Sequence, residues 1–423
     1  MLANADSIRI PLADGVVQCV VTSPPYWGLR AYSGEQQRVW PDGWRGGLGL
    51  EPTPELFIEH MVQVFREVRR VMRDDGVAWV NMGDSFNDKQ LVMMPHRLAL
   101  ALQSDGWWVR SDVVWAKPNP MPESLRGWRW EQCRVKTQNS KHATDHNIKG
   151  GHKKMLEDAS VHQGMSPEFL AQWQPCTGCP KCEATDGLVL RRSSWRPTSS
   201  HEYVFMLAKS STYFSDGEAV RETTEQDWGS RNRKNGKYHN AGTGLRPHTG
   251  LERSTSGRNL RSVWNIATQP FKGAHYATFP EKLARTCILA STSRHACAKC
   301  GMAWSRKLEK PVAPYKDTRA HGRHVPTGNK KISGAQLQKW LDANPAKTLG
   351  YMPSCQCDAD TKPCVVLDPF CGSGTVGQVC RELPYQRDFV GLDLSFDYLR
   401  DQALIRSEQL TPASKLAELP MFT

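Results

Sequence analysis

Two short runs, one near each end of the chain, carry residues able to do chemistry. Thr22-Ser23-Pro24-Pro25-Tyr26-Trp27 closes the apolar stretch from Val16 to Thr22. Two prolines fix the backbone, so the Ser23 side chain and the nearby carbonyls point one way while Tyr26 offers a flat face for stacking. Such a turn suits holding a planar base that bears an amino group; an ordinary Pro-Pro turn capped by a packed aromatic is the plainer alternative. Asp368-Pro369-Phe370-Cys371-Gly372-Ser373-Gly374-Thr375 follows an apolar strand and opens a helix. Glycines there let the backbone approach a ligand, and the free N–H groups of a helix start favour a carboxylate or phosphate. No Gly-Lys-Ser/Thr follows, so a triphosphate loop would lack its lysine. Gly372, Gly374 and Gly377 align only weakly with a dinucleotide fingerprint. About twenty residues on, Gly391-Leu392-Asp393 ends the next strand with an acid placed for ribose hydroxyls.

The chain has 13 cysteines and no apparent export signal, so metal ligands and buried thiols are expected in place of a disulfide framework. Cys176-x-x-Cys179-x-x-Cys182 with Cys133 would complete a tetrahedral zinc site, with His142, His146 or His152 as substitutes for Cys133. Cys297-x-x-Cys300-Gly with Cys355-x-Cys357 resembles a zinc ribbon. Four protein ligands leave no position for water, so both groups read as structural. Cys19, Cys287, Cys364, Cys371 and Cys380 fall in core elements or the glycine junction, where packing is the expected role.

Taken together, the Ser-Pro-Pro-Tyr and Asp-Pro-Phe-x-Gly-Ser-Gly-Thr runs resemble those of the amino-group DNA methyltransferases, which use the first in catalysis and the second to bind S-adenosylmethionine. Their order here resembles the permuted beta class, common among phage and bacterial enzymes. Gly83-Asp84-Ser85, Lys117-Pro118-Asn119-Pro120-Met121-Pro122, His201-Glu202-Tyr203 and Gly273-Ala274-His275-Tyr276-Ala277-Thr278-Phe279-Pro280 are also similar to family segments. The resemblance spans roughly residues 1–125, 195–215 and 262–408.

The resemblance implies a base flipped out of the duplex, because its exocyclic amine is out of reach inside the stack. Within the Ser23-Pro24-Pro25-Tyr26 motif, Ser23 and the Pro24 carbonyl would accept hydrogen bonds from that amine, and Tyr26 would stack on the base. Methyl transfer would then be an in-line displacement governed by positioning and electrostatics. Asp368, Phe370, Gly372, Gly374 and Thr375 would line the methionine side of the cofactor, Asp393 would bind its ribose and Phe279 would pack nearby. Asp6 matches a position that contacts the adenine amino group; a simple turn aspartate is the alternative. Pro363-Cys364 invites comparison with a carbon-5 cytosine nucleophile, but that covalent mechanism needs a different motif context. The Ser-Pro-Pro-Tyr version is found more often in cytosine-N4 enzymes, so cytosine N4 is the expected acceptor and adenine N6 the alternative. A catalytically silent DNA-binding zinc protein is the rival from another class.

The elements that must position these residues read as an α/β fold; the resemblance implies a Rossmann-like S-adenosylmethionine-dependent methyltransferase sheet with circularly permuted motif order, and the cysteine groups imply zinc-binding insertions. Strands are expected over Val16–Thr22, Val77–Met82, Trp107–Trp115, Glu202–Ala208, Val365–Asp368 and Asp388–Asp393. Apolar residues at helical spacing place helices over Pro54–Arg73, stopped by Asp74-Asp75-Gly76, and over Pro95–Ser104, Phe279–Ala290, Gly374–Arg381 and Phe396–Ser407. The alternation implies a largely parallel sheet. The expected divisions are 1–125 as the catalytic half, 126–200 as a Cys/His-rich zinc insertion, 201–215 as the return to the sheet and 216–265 as a basic target-recognition region. They continue with 266–293 as a cofactor-proximal segment, 294–363 as a basic zinc-ribbon insertion and 364–423 as the S-adenosylmethionine-binding half.

Charge supports a polyanion partner. The formal net charge is +12, and residues 226–265 hold eight basic against two acidic residues while residues 294–347 hold twelve against three. The remainder is slightly acidic, so the basic clusters point to a polyanion such as DNA or RNA, whose phosphates reward clustered Lys and Arg through counterion release, and the resemblance makes double-stranded DNA the expected partner. Arg231, Arg233, Lys234 and Lys237 fall where a beta-class enzyme places its target-recognition region, and Arg319, Arg323, Lys330 and Lys331 could clamp the backbone. A solvated charged face is the plainer reading of each residue. No run of about 18 apolar residues exists to cross a bilayer, so no membrane partner and a cytoplasmic location are expected. A restriction endonuclease partner is compatible with the family, and oligomeric state leaves no mark in the sequence.

Overall fold

In a computed structural model of the chain, the described residues are 1–28, 38–123, 125–136, 173–222, 259–269, 279–309, 340, 344 and 346–408. Arg231, Arg233, Lys234, Lys237, Arg319, Arg323, Lys330, Lys331, His142, His146, His152 and residues 273–278 lie outside them. The chain divides into two compact units, Met1–Asn119 with Ser200–Thr423, and Pro120–Ser199.

The first unit is organised by one sheet of eight strands: β1 (Leu2–Asn4), β2 (Val17–Thr22), β3 (Met72–Met82), β4 (Trp108–Ala116), β5 (His201–Ala208), β6 (Val263–Asn265), β7 (Val365–Asp368) and β8 (Asp388–Asp393). Their spatial order is β1-β8-β7-β2-β3-β5-β4-β6. Neighbours run parallel except β5, which is antiparallel to both β3 and β4. This is the largely parallel α/β sheet expected, with one reversed strand.

Alternation along the strands feeds two cores. Val20, Ala78, Val80 and Leu367 pack under α1 (Pro54–Val71) and α2 (Met94–Ser104). Cys19, Val21, Val77, Trp79 and Val366 pack against α3 (Glu281–Ser291) and α4 (Thr375–Glu382). In α1 the Thr53 side chain caps the Leu56 N–H at 3.2 Å, Pro54 opens the first turn, and Phe57, Met61, Val64, Phe65, Val68 and Val71 form the buried face.

Two departures from the sequence expectation bear on the packing. The helix ends at Val71, and Asp74-Asp75-Gly76 lies inside β3 instead of stopping the helix. The last carbonyls need no separate loop, because the Gly15 and Val16 N–H groups take those of Arg70 and Val71 at 3.1 and 2.9 Å. Gly76 serves a close strand approach: a Cβ there would sit 3.0 Å from the Gln18 carbonyl and 2.6 Å from Met72. Near the end of the described chain, the helix expected over Phe396–Ser407 is interrupted by a π-helical turn, Leu399–Ala403. That turn packs on Gly374 at φ +77°, where a Cβ would lie 2.7 Å from the Ala403 Cα.

In the second unit, Arg129–Gln132 pairs antiparallel with Leu188–Arg191, and Arg134–Lys136 with Trp173–Pro175, which leaves Cys133 between the two ladders. Among the described residues no helix is long and apolar enough to cross a membrane.

Candidate active site

The carboxyl ends of β1, β2, β7 and β8 open on one cleft. Ser23 and Pro25 reach it from β2, Asp6 and Ser7 from β1, Pro369, Phe370 and Gly372 from β7, and Asp393 and Leu394 from β8. Arg38, Leu48 and Tyr398 complete the wall. Six residues singled out in the sequence therefore meet: Asp6, Ser23, Pro25, Phe370, Gly372 and Asp393. Pro24, Tyr26, Asp368, Gly374, Thr375 and Phe279 are not among the lining residues.

Each of these has a definite place. Asp368 is fully buried at the end of β7, where its Oδ1 accepts from the Thr22 hydroxyl at 2.7 Å and the Phe370 N–H at 3.1 Å. Burial lifts its carboxyl to about 7 against those two donors. The Thr22 bond ties the strand bearing the Pro-Pro turn to the strand bearing the glycine junction. Thr375 Oγ1 and Ser373 Oγ both accept from Arg406 Nη1 at 2.9 Å, which fixes the start of α4. Phe279 lies in the α3–α4 core with Leu283 and Val376, on the other side of the sheet from the α1–α2 core.

Two carboxylates face the cleft. Asp393 accepts from the Gly372 and Ser395 N–H groups at 2.9 and 2.8 Å, and burial raises its carboxyl despite them. Asp6 accepts from the Ile8 N–H at 3.1 Å and pairs with Arg38. Burial of Arg38 lowers its guanidinium, and the Asp6 partner opposes that shift.

Tyr26 belongs to a polar network that the sequence runs only hinted at. Ser23 Oγ donates to the Tyr26 hydroxyl at 3.2 Å, which in turn donates to Glu202 Oε2 at 2.8 Å. Asn81 Nδ2 donates to both Tyr26 and Glu202 at 2.9 Å, and Lys117 pairs with Glu202. Burial, followed by the Glu202 charge, raises the Tyr26 phenol well above its ordinary value. The ring lies against Gly83, where a Cβ would be 2.8 Å from Tyr26 Cε2. Gly83, Lys117 and Glu202 sit in segments that stood out in the sequence without a role. Asn81 gave no signal, because a single asparagine in an apolar strand is informative only once its neighbours on β5 are known.

Both cysteine groups are assembled. The Sγ atoms of Cys133, Cys176, Cys179 and Cys182 lie within 4.8 Å of one another, as do those of Cys297, Cys300, Cys355 and Cys357. In the first group Cys133–Cys179, Cys179–Cys182 and Cys182–Cys176 are 3.8, 3.6 and 4.0 Å apart. A tetrahedral ion with Zn–S bonds of about 2.3 Å spaces its sulfurs by about 3.8 Å, so the residues fit such an ion. Backbone N–H groups of Lys181 and Cys300 draw the Cys179 and Cys297 thiols down to about 7 and about 6.

Fold and cleft together define an α/β protein with a cleft at the carboxyl ends of parallel strands, the place where such sheets bind ligands. A sequence profile of the N6_N4_Mtase family, described as DNA methylase, matches residues 17–296. The Type II methyltransferase M.Cfr9I of Citrobacter freundii is 29% identical over 425 residues, covering 94% of this chain and 83% of its own. M.XycI of Xanthomonas campestris pv. cyanopsidis is 29% identical over 417 residues, covering 92% and 80%. Among solved structures, PvuII DNA methyltransferase (cytosine-N4-specific) matches at 12% identity with a TM-score of 0.44, covering 94% of this chain and 83% of its own. The chain belongs to the DNA methylase family and is a beta-class amino-group DNA methyltransferase.

Proposed function

We propose that the chain transfers a methyl group from S-adenosylmethionine to the exocyclic amine of a base flipped out of double-stranded DNA, with cytosine N4 as acceptor. The observation that carries this reading is the meeting of Ser23, Asp6, Phe370, Gly372 and Asp393 on one cleft. Asp6 and Asp393 put carboxylate acceptors on a cavity also walled by Leu48, Phe370 and Leu394, which suits a nucleoside with hydroxyl and amino donors on a flat ring. These residues would hold the cofactor, while Asp368, Gly374 and Thr375 shape the wall from behind. Bound S-adenosylmethionine supplies the activated methyl group.

The protein's part is orientation. The Ser23 proton is directed to Tyr26 and the Tyr26 proton to Glu202, so the Ser23 oxygen presents lone pairs to the cleft. An amine N–H donated to that oxygen and to the Pro24 carbonyl would aim the nitrogen lone pair at the methyl group. Lys117 and Asn81 hold Glu202, and so fix the direction of the chain of hydrogen bonds.

Adjacency of β2 and β7, far apart in sequence, supports a circularly permuted motif order. The four-sulfur clusters support two structural zinc ions. Residues 126–200 would form the first zinc insertion, 294–363 the ribbon and 216–265 the target-recognition region, with Arg231, Arg233, Lys234 and Lys237 on DNA. The relatives' Type II methyltransferase names support a role in restriction and modification beside a partner endonuclease. The serine in place of an acid before Pro24-Pro25 favours cytosine N4 over adenine N6.

Incubation with labelled S-adenosylmethionine and DNA, followed by digestion to nucleosides, tests the proposal. Label is expected in N4-methylcytosine; label in N6-methyladenine would transfer the assignment to adenine, and no label would overturn it.

A further inference from the structure

His60 lies on α1 with its side chain wholly shielded from solvent. Its Nδ1 is 2.8 Å from Glu51 Oε1, and its Nε2 is 3.1 Å from Asp42 Oδ2. Both ring nitrogens are thus held by carboxylates, which fixes the plane of the ring. The Trp40 indole stacks on the imidazole, with centroids 3.6 Å apart and planes 9° from parallel, and Trp44 lies 5.4 Å away.

The histidine is bonded into both sides of the cleft. Glu51 turns its second oxygen to the Gly49 N–H at 2.7 Å, and its carbonyl accepts from Trp27 Nε1 at 2.9 Å. Gly49 sits at φ +94°, and a Cβ there would be 3.0 Å from the Tyr26 carbonyl. Its own carbonyl accepts from the Gly28 N–H at 2.9 Å. Glu51 therefore clamps the turn that begins at Ser23. In the other direction, the Arg38 guanidinium lies 3.4 Å from the Trp40 ring centroid and pairs with Asp6, and both Arg38 and Asp6 line the cleft.

We infer that His60 braces the Ser23–Tyr26 turn through Glu51 and the Asp6–Arg38 wall through Trp40, and so acts as a positioning residue for methyl transfer. The charged groups around it are Asp42, Glu51 and, beyond Trp40, Arg38. The inference rests on the proposed methyl-transfer reading.

The test uses the full chain and has two readouts, kcat and S-adenosylmethionine affinity. In kinetics, His60→Gln is expected to lower kcat by about tenfold to a hundredfold and to weaken S-adenosylmethionine binding, with affinity for a DNA duplex unchanged. A variant with unchanged kcat and cofactor affinity but a lowered Tm would reduce His60 to a packing residue and overturn the positioning role. If His60→Gln does not fold, Asp42→Asn provides the second arm: the positioning role requires the same loss in weaker form, and an unchanged kcat with unchanged cofactor affinity would overturn it. Absence of methyl transfer in the unsubstituted protein would strike the proposed function and leave S-adenosylmethionine affinity to decide the positioning role.

Discussion

The cleft and most of the first cysteine cluster are built on different plans. Cys176, Cys179 and Cys182 are close in sequence, and backbone turns such as the bond from Cys182 N–H to the Cys179 carbonyl at 2.9 Å bring them together locally. The cleft joins residues from both ends of the chain, and its side chains acquire their roles through burial and long-range hydrogen bonds. Thr22 and Asp368 are 346 positions apart, yet they share a buried bond of 2.7 Å. A local cluster should thus fail as a unit when one ligand is lost, whereas the cleft should lose one property at a time.

The largest effect expected is at the cysteines. Structural zinc supplies on the order of 10 kcal/mol in small metal-dependent folds, so, with the two proposed zinc ions bound, Cys179→Ser should cost one of them and open residues 120–199 to protease. Metal analysis with limited proteolysis checks this; two ions retained and no new cleavage would break the contrast. Next comes Ser23→Ala, which should lower kcat by about 10²- to 10³-fold while leaving the Kd for S-adenosylmethionine near its original value. Full activity in single-turnover assays would remove Ser23 from the mechanism.

The smallest effect is a pH dependence of stability. Asp368 has a folded value of about 7, above its ordinary 3.8, so the stability it contributes is fully present below about 3.8 and is lost as pH rises through 7. Asp368→Asn does not titrate there, and its Tm should gain on the unsubstituted protein across that window by on the order of 5 °C. Calorimetry at several pH values, without cofactor, measures the difference; parallel profiles would show that burial does not control this carboxyl.

Much of this contrast was legible in the residues alone. Spacing announced both cysteine groups, apolar runs announced β2, β7 and β8, and helical spacing announced α1. The Asp74-Asp75-Gly76 run misled because turn-forming residues can also serve a strand where two backbones crowd, as Gly76 does beside Gln18. The π-helical turn at Leu399–Ala403 was hidden because its apolar residues also satisfy an α-helical pattern. Asn81, Arg38, Glu51 and His60, and the role of Glu202, escaped for a different reason. A histidine between two carboxylates and an indole is a spatial fact, and no interval in the sequence encodes it.

Sheet order also bears on how the protein is made. β2 leaves the ribosome early, but its neighbour β7 is synthesised 346 residues after Thr22, counted to Asp368. At about 5 to 20 residues per second, that is roughly 20 to 70 s in which the strand carrying Ser23 has one unpaired edge. A nascent chain therefore holds the reactive turn long before it owns the Asp393 wall. Any fragment stopped before residue 365 would carry an exposed strand edge, a template for aggregation, and no complete cleft with which to modify DNA.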